Sequence, residues 1–156
     1  LTGGYGYART EIDHVQPVPQ QLLDLGVSDV IIGVEERNTL TSAAPRSKGQ
    51  LSADWSSAHW NLLLRGIRHG STTRVFNFGG GFEPQQTYDA RWQLDAEAEY
   101  RFSEQLRVAL GASNLTDSYP ERSNEDIYYF GNLPYDILSG IGVNGAFWYG
   151  RVSVNW

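Results

Sequence analysis

The chain has 156 residues, 40% of them hydrophobic, with 5 Trp, 9 Tyr and 6 Phe, which is enough for one folded domain and excludes a disordered tail. A net charge of -6 with no cluster of basic residues argues against a nucleic-acid partner. No run of about 18 apolar residues occurs, which excludes a membrane-spanning helix, but the alternating strands of a membrane β-barrel pass that test and give a low mean hydropathy such as the -0.41 found here.

In chain order, residues 1–12 predict a first strand of weakly determined phase, with Tyr5 and Tyr7 set among glycines. A long connection follows from residue 13 to about 47; in it Gln20 to Leu25 suit a short helix, and the apolar Val30 to Val34 suit either a hairpin or a cover over an interior. Residues 50–56 set Leu51, Ala53 and Trp55 against Ser52, Asp54 and Ser56. After a tight polar turn at Ser56 to His59, residues 59–74 begin with Trp60, Leu62 and Leu64 against Asn61 and Arg65, and Leu63 and Ile67 break the pattern. A second long connection covers 75–87.

Residues 88–102 carry the strongest signal. Tyr88, Ala90, Trp92, Leu94, Ala96, Ala98, Tyr100 and Phe102 fall on one face, and Asp89, Arg91, Gln93, Asp95, Glu97, Glu99 and Arg101 on the other. At this composition a given 15-residue window alternates without exception by chance only about twice in 100,000, so the period is informative. After a turn at Ser103 to Gln105, residues 105–113 place Leu106, Val108, Leu110 and Ala112 against Arg107, Ala109, Gly111 and Ser113. A third long connection, 117–144, leads to a last strand with Trp148, Gly150, Val152, Val154 and Trp156 on one face and Tyr149, Arg151, Ser153 and Asn155 on the other.

The expected fold is all-β: an antiparallel meander of about six long strands. Soluble strands usually run about 5–6 residues, whereas residues 88–102 could extend roughly 45–50 Å; tilted by about 40°, such a strand crosses an apolar band about 25 Å tall. Short turns on one rim and long, proline-bearing connections on the other are the loop asymmetry of a transmembrane β-barrel. On that reading Trp92, Tyr100, Phe102, Trp148 and Trp156, with Trp55 and Trp60, form the aromatic girdles, while Arg91, Asp95, Glu97, Glu99, Arg101 and Arg151 face a polar lumen.

The segment from Gly111 to Arg122, containing Asn114-Leu115-Thr116-Asp117-Ser118-Tyr119-Pro120, resembles the N-L-x-D-x-Y-P signature before the last extracellular loop of TonB-dependent outer-membrane receptors. The tail from Gly142 to Trp156 is similar to their final strand, and Pro45-Arg46-Ser47-Lys48 and Thr87-Tyr88-Asp89 are similar to other parts of their barrel. Together these matches span most of residues 45–156. The resemblance implies the C-terminal part of the barrel, with Val152, Val154 and Trp156 as the C-terminal assembly signal, although the family usually ends in Phe. It implies a bacterial outer-membrane protein that imports a scarce ligand with energy passed from the inner membrane. Its partners would be outer-membrane lipid, the rest of the barrel and its plug, the barrel assembly machinery, and TonB through a missing N-terminal part; no cofactor is implied. A family barrel has about 22 strands, and a chain that opens at Leu1 without any Met is expected to be a segment of a longer protein.

Other chemistry is sparse. Along one strand face, Asp95, Glu97 and Glu99 set neighbouring carboxyls roughly 6.5–7 Å apart, near the carboxyl separation of inverting glycosidases; the alternative is a hydrated lumen face with Arg91 and Arg101 as counter-charges. His14, His59 and His69 lack ligand spacing, and with no cysteine a metal site is not expected. No G-x-S-x-G occurs, and Gly79-Gly80-Gly81 reads as a loop tip rather than a phosphate cradle. Glu121 to Asn132 mixes charge and aromatics in a way that suits either ligand contact or a solvated loop. No catalytic role is expected. A carbohydrate-active jelly roll, using the aromatics as a sugar platform, is the second reading, and a small pore without energy coupling is the third.

Overall fold

The computed structural model describes residues 1–26, 32–128 and 134–156. Six strands form one sheet: β1 (Thr2–Tyr7), β2 (Ser47–Ser56), β3 (Trp60–His69), then, after a separate hairpin of β4 (Thr72–Val75) and β5 (Gln85–Tyr88), β6 (Arg91–Arg101), β7 (Leu106–Ser113) and β8 (Phe147–Val154). Every neighbouring pair is antiparallel, in the order β1-β2-β3-β6-β7-β8. The chain thus meanders, and β1 and β8 are left as the edges. Within the described residues the sheet is open, not closed.

Register makes this sheet two-sided. Residues directly opposite one another share a face, and the pairings Ala53–Leu64, Leu64–Ala96, Ala96–Ala112 and Ala112–Trp148 carry one face unbroken from β2 to β8. Parallel rows run through Trp55, Leu62, Ala98, Leu110 and Gly150, and through Trp60, Tyr100, Val108 and Val152. A slip of one residue in any pair would have turned that strand's apolar set over. Leu63 and Ile67, which break the alternation of β3, fall on the polar face opposite Glu97 and Gln93.

Several boundaries differ from the sequence reading: the first strand ends at Tyr7 rather than residue 12, and the second begins at Ser47 rather than residue 50. Residues 59–74 are not one strand: β3 ends at His69, and Thr72–Val75 leave the sheet to pair with Gln85–Tyr88 inside the expected 75–87 loop. Gly70 marks the corner, where any side chain would collide with Ser47. Tyr88 accordingly belongs to the hairpin, and the long strand begins at Arg91. The first connection does carry a short helix, α1 (Gln20–Leu23), but it also holds a second, α2 (Val34–Thr41), where Val34 was expected to lie in a hairpin or an interior cover. Glu35 and Glu36 in the first turn of α2 favour the positive end of its dipole. Residues 30 and 31 of that expectation lie outside the described residues.

The connections pack on one another beside the sheet ends remote from the short turns. Asn38 of α2 is buried; its Nδ2 donates to the Thr73 carbonyl at 2.8 Å and its Oδ1 accepts from the Val75 amide at 2.9 Å, so it docks the helix onto β4. Arg74 Nε stands 3.3 Å from Asp136 Oδ2, with the two side chains 8% and 3% exposed, and the guanidinium lies 5.0 Å from the Phe76 ring. Tyr88 shares a 2.8 Å hydrogen bond with Ser123, and burial pushes its phenol above the ordinary value. Ala43, Ile127 and Ile141 are buried apolar residues of this cap of connections. Breaking a buried ion pair leaves an uncompensated charge. Asp136→Ala is therefore expected to cost the cap about 3–5 kcal/mol, seen as accelerated hydrogen exchange in residues 72–75 and 85–88 with the main sheet still protected.

Candidate functional site

The molecule presents two surfaces with opposite chemistry, one on each side of the six-stranded sheet. On the apolar side Trp92, Trp148, Leu110 and Val152 are 60%, 66%, 68% and 66% exposed. Leu51, Trp55, Leu62, Leu64 and Val154 are exposed beside them. A groove of about 450 Å³ runs over the small residues Ala96, Ala98 and Ala112, with Trp55, Leu64 and Trp148 on its walls. No layer of described residues covers this face. The total area is 10808 Å², against about 7,900 Å² for a compact monomer of this mass, an excess to which this face and the largely exposed residues 1–26 both contribute.

The aromatics form two groups. Near the short turns, Tyr100 makes edge contacts with Trp60 at 4.8 Å and Phe102 at 4.7 Å, while Trp55 and the fully exposed Trp156 lie toward the same rim. Toward the other rim are Trp92, whose ring leans over Gly66, with Trp148 and with Tyr5 and Tyr7 on β1. Val152 and Val154 project between the Trp148 and Trp156 ends of the last strand on the same side.

On the opposite face register gathers Arg91, Asp95, Glu97, Glu99, Arg101 and Arg151, as the alternation predicts. Their pairing differs from expectation. The counter-charges are Arg65 and Arg151, not Arg91 and Arg101: same-face residues of one strand are about 7 Å apart, whereas cross-strand neighbours stand at about 5 Å and meet more easily. Asp95 is 5% exposed, and its Oδ2 takes a forked pair from Arg65 Nε and Nη2 at 3.0 and 2.7 Å. Its Oδ1 accepts from Gln93, Ser113 and the Asn114 amide at 2.8, 3.3 and 2.9 Å.

Glu97 and Glu99 are held by β8, from two strands away. Glu97, Gly111 and Tyr149 are successive partners across β6, β7 and β8, and so are Glu99, Ala109 and Arg151. Tyr149 and Arg151 span about 10 Å, two strand spacings, by crossing the smallest residues of β7. The Tyr149 hydroxyl donates to Glu97 Oε2 at 2.7 Å, while Arg151 Nη2 donates to Glu97 Oε1 at 2.7 Å and to Glu99 Oε2 at 3.5 Å. Asn61 adds a 3.0 Å bond to Glu99. Gly111 has to be glycine here, since a side chain would collide with the Tyr149 ring. The alternation already put Arg65, Asn61 and Tyr149 on the polar side of their strands, but sequence reasoning did not name them as partners of the acids, since phase says nothing of cross-strand neighbours.

The Asn114 to Pro120 motif ends β7 with a clamp. Asn114 and Asp117 adopt φ of 54° and 51°, a left-handed conformation that Asn and Asp tolerate best after glycine. The Asn114 side chain donates to the Ser118 carbonyl at 2.7 Å and accepts from the Ser118 amide at 3.0 Å. Asp117 Oδ1 accepts from the Ala146 amide at 2.8 Å, just before β8. With the Asn114 amide bound to Asp95, the motif ties β6, β7 and β8 together, which is a structural role. His59 stacks on Tyr100 at 6.0 Å, buried His69 lies against Gly140, and His14 is exposed. No group of three or more His, Cys, Asp or Glu among the described residues could hold a metal ion. In the cap, a cleft of about 350 Å³ opens between Phe76, Phe78, Tyr135 and Ile137 beside the Arg74–Asp136 pair. From the Glu121 to Asn132 loop, Arg122 packs over Tyr128, and residues 129–132 lie outside the described residues.

Comparison with protein-family models, with curated proteins and with solved structures finds no match for the chain.

The crossing of Tyr149 over Gly111 offers a direct check. Gly111→Val is expected to expel the Tyr149 ring, break its bond to Glu97 and cost about 1–3 kcal/mol through overpacking. The midpoint of denaturant unfolding measures that loss, and Tyr149→Phe, which removes only the hydroxyl, should cost about 0.5–1.5 kcal/mol.

Proposed function

We propose that this chain is part of the barrel wall of an outer-membrane active-transport receptor of the TonB-dependent type, importing a scarce ligand such as a siderophore, vitamin or oligosaccharide. The observation that carries the reading is the exposed apolar face, continuous over all six strands and bordered by aromatic residues toward both rims. Water would penalise such a face, whereas lipid tails would not. From Trp92 to Phe102 is about 34 Å of strand, or about 26 Å of height at a tilt of about 40°, which matches the apolar band of an outer-membrane barrel. On this reading the polar face, with its acid and guanidinium lattice, lines the interior, and the packed connections form the outward cap.

The two free edges fit a wall that continues into further strands. An open sheet edge in lipid leaves N–H and C=O groups unpaired at several kcal/mol each, so the rest of the barrel would pair with β1 and β8. Transport would then belong to the whole receptor, with a plug inside and TonB engaged elsewhere in the protein. A jelly-roll carbohydrate domain would instead require a second layer on the apolar face, and the described residues supply none. Its proposed acid row is also occupied: each of Asp95, Glu97 and Glu99 is bonded to an arginine, and a carboxylate so held is a poor general acid.

Leu110→Arg tests the assignment of faces. In a bilayer the change should cost about 2–4 kcal/mol near the midplane, whereas at a water-exposed position it would stay within about 0.5 kcal/mol. Gln50→Arg, on the polar face, is the control and should be tolerated. Folded yield in lipid vesicles reads both, and equal tolerance of the two changes would refute the lipid-facing assignment.

A further inference from the structure

The polar face has cations left over after the acids of β6 are matched, and its remaining acid, Asp54 on β2, pairs with none of them. Asp95 is bound by Arg65, and Glu97 and Glu99 by Arg151. Arg101 and Arg107, one on each side of the turn that joins β6 to β7, are direct register partners on this face. Both are half-buried, and the Nε atom of each is shut off from solvent without a hydrogen-bond partner. No ion pair reaches either side chain among the described residues. Glu104, in the turn itself, is exposed and makes no such pair, and the residue opposite Arg107 on β8 is the uncharged Ser153.

Like charges placed directly across an antiparallel pair repel, and a buried guanidinium N–H without an acceptor is costly. A bare pair of this kind works against the sheet. A guanidinium donates only, through a planar fork suited to carboxylate and phosphate oxygens, and two forks side by side can close on one such group. We propose that Arg101 and Arg107 form an oxyanion site on the polar face at the short-turn rim. Its ligand is a carboxylate or phosphate group, supplied by an acidic side chain of a protein element seated against this face or by a free anion. The site follows from the pairing geometry alone and does not require the apolar face to meet lipid.

The sign of the arginine substitutions is the test, because removing one member of a bare like-charge pair relieves repulsion whereas removing one arm of an occupied site loses a ligand. Thermal unfolding of the complete protein in detergent is followed in chloride and in inorganic phosphate at equal ionic strength, for the parent, Arg101→Met, Arg107→Met and Arg101→Lys. A midpoint that rises with phosphate in the parent and not in the two methionine variants supports the site with a free anion as its source. Absence of a phosphate response, with both methionine variants lowered and the lysine variant closer to the parent, supports occupation by a protein carboxylate. Methionine variants at or above the parent with no phosphate response overturn the proposal, and so does an equal loss in the lysine and methionine variants of Arg101, which would reflect packing and not charge.

Discussion

Strand register is the constraint on which everything else in this molecule depends. Side chains alternate with a period of two, so six strands can share one apolar face only if all five pairings are in phase. They are, from Gly3 opposite Leu51 at one edge to Leu106 opposite Val154 at the other. The result is a sheet whose large hydrophobic side chains are exposed on one face while the acids of β6 are covered on the other: Leu110 is 68% exposed and Asp95 is 5% exposed. That inversion of the usual burial order sets the physical question of what solvent the apolar face meets.

The polar face is held by contacts that reach beyond nearest neighbours. Tyr149 and Arg151 cross β7 over Gly111 and Ala109 to bond the acids of β6, and Arg65 grips Asp95 from the other side. Three consecutive strand pairs are thereby tied by side chains as well as by backbone. The Asn114 turn closes the same set, since its amide ends on Asp95 and its Asp117 ends on the residue before β8. Such a lattice stabilises one register against its neighbours, because a shift of two residues would keep the faces but separate every charge pair.

Much of this was legible in the sequence. The unbroken alternation of residues 88–102 fixed which residues of β6 share a face, and the turns at 57–59 and 103–105 appeared where polar residues interrupt the pattern. The partners of the acids were not legible, because periodicity says which face a residue occupies and nothing about the residue it meets on the adjacent strand; Arg91 and Arg101, near in sequence, gave way to Arg65 and Arg151, near in space. The β4–β5 hairpin was hidden for a related reason. Residues 72–75 continue the strand-like composition of β3, and the departure at Gly70 comes from its close contact with Ser47, a neighbour more than 20 residues earlier in the chain. Helix α2 was missed because its buried contact is made by Asn38, a polar residue, so no apolar stripe announced it.

The most direct test of the lipid-facing assignment uses the absence of native cysteine. Single cysteines placed at each position from 148 to 154 in the complete protein, reconstituted in vesicles and spin-labelled, report collision with oxygen dissolved in lipid or with a water-soluble paramagnetic reagent. The account predicts a period of two, with labels at 148, 150, 152 and 154 reached from lipid, and those at 149, 151 and 153 screened from it. Labels at the even positions shielded from both reagents would reveal a protein layer against the apolar face and contradict the account.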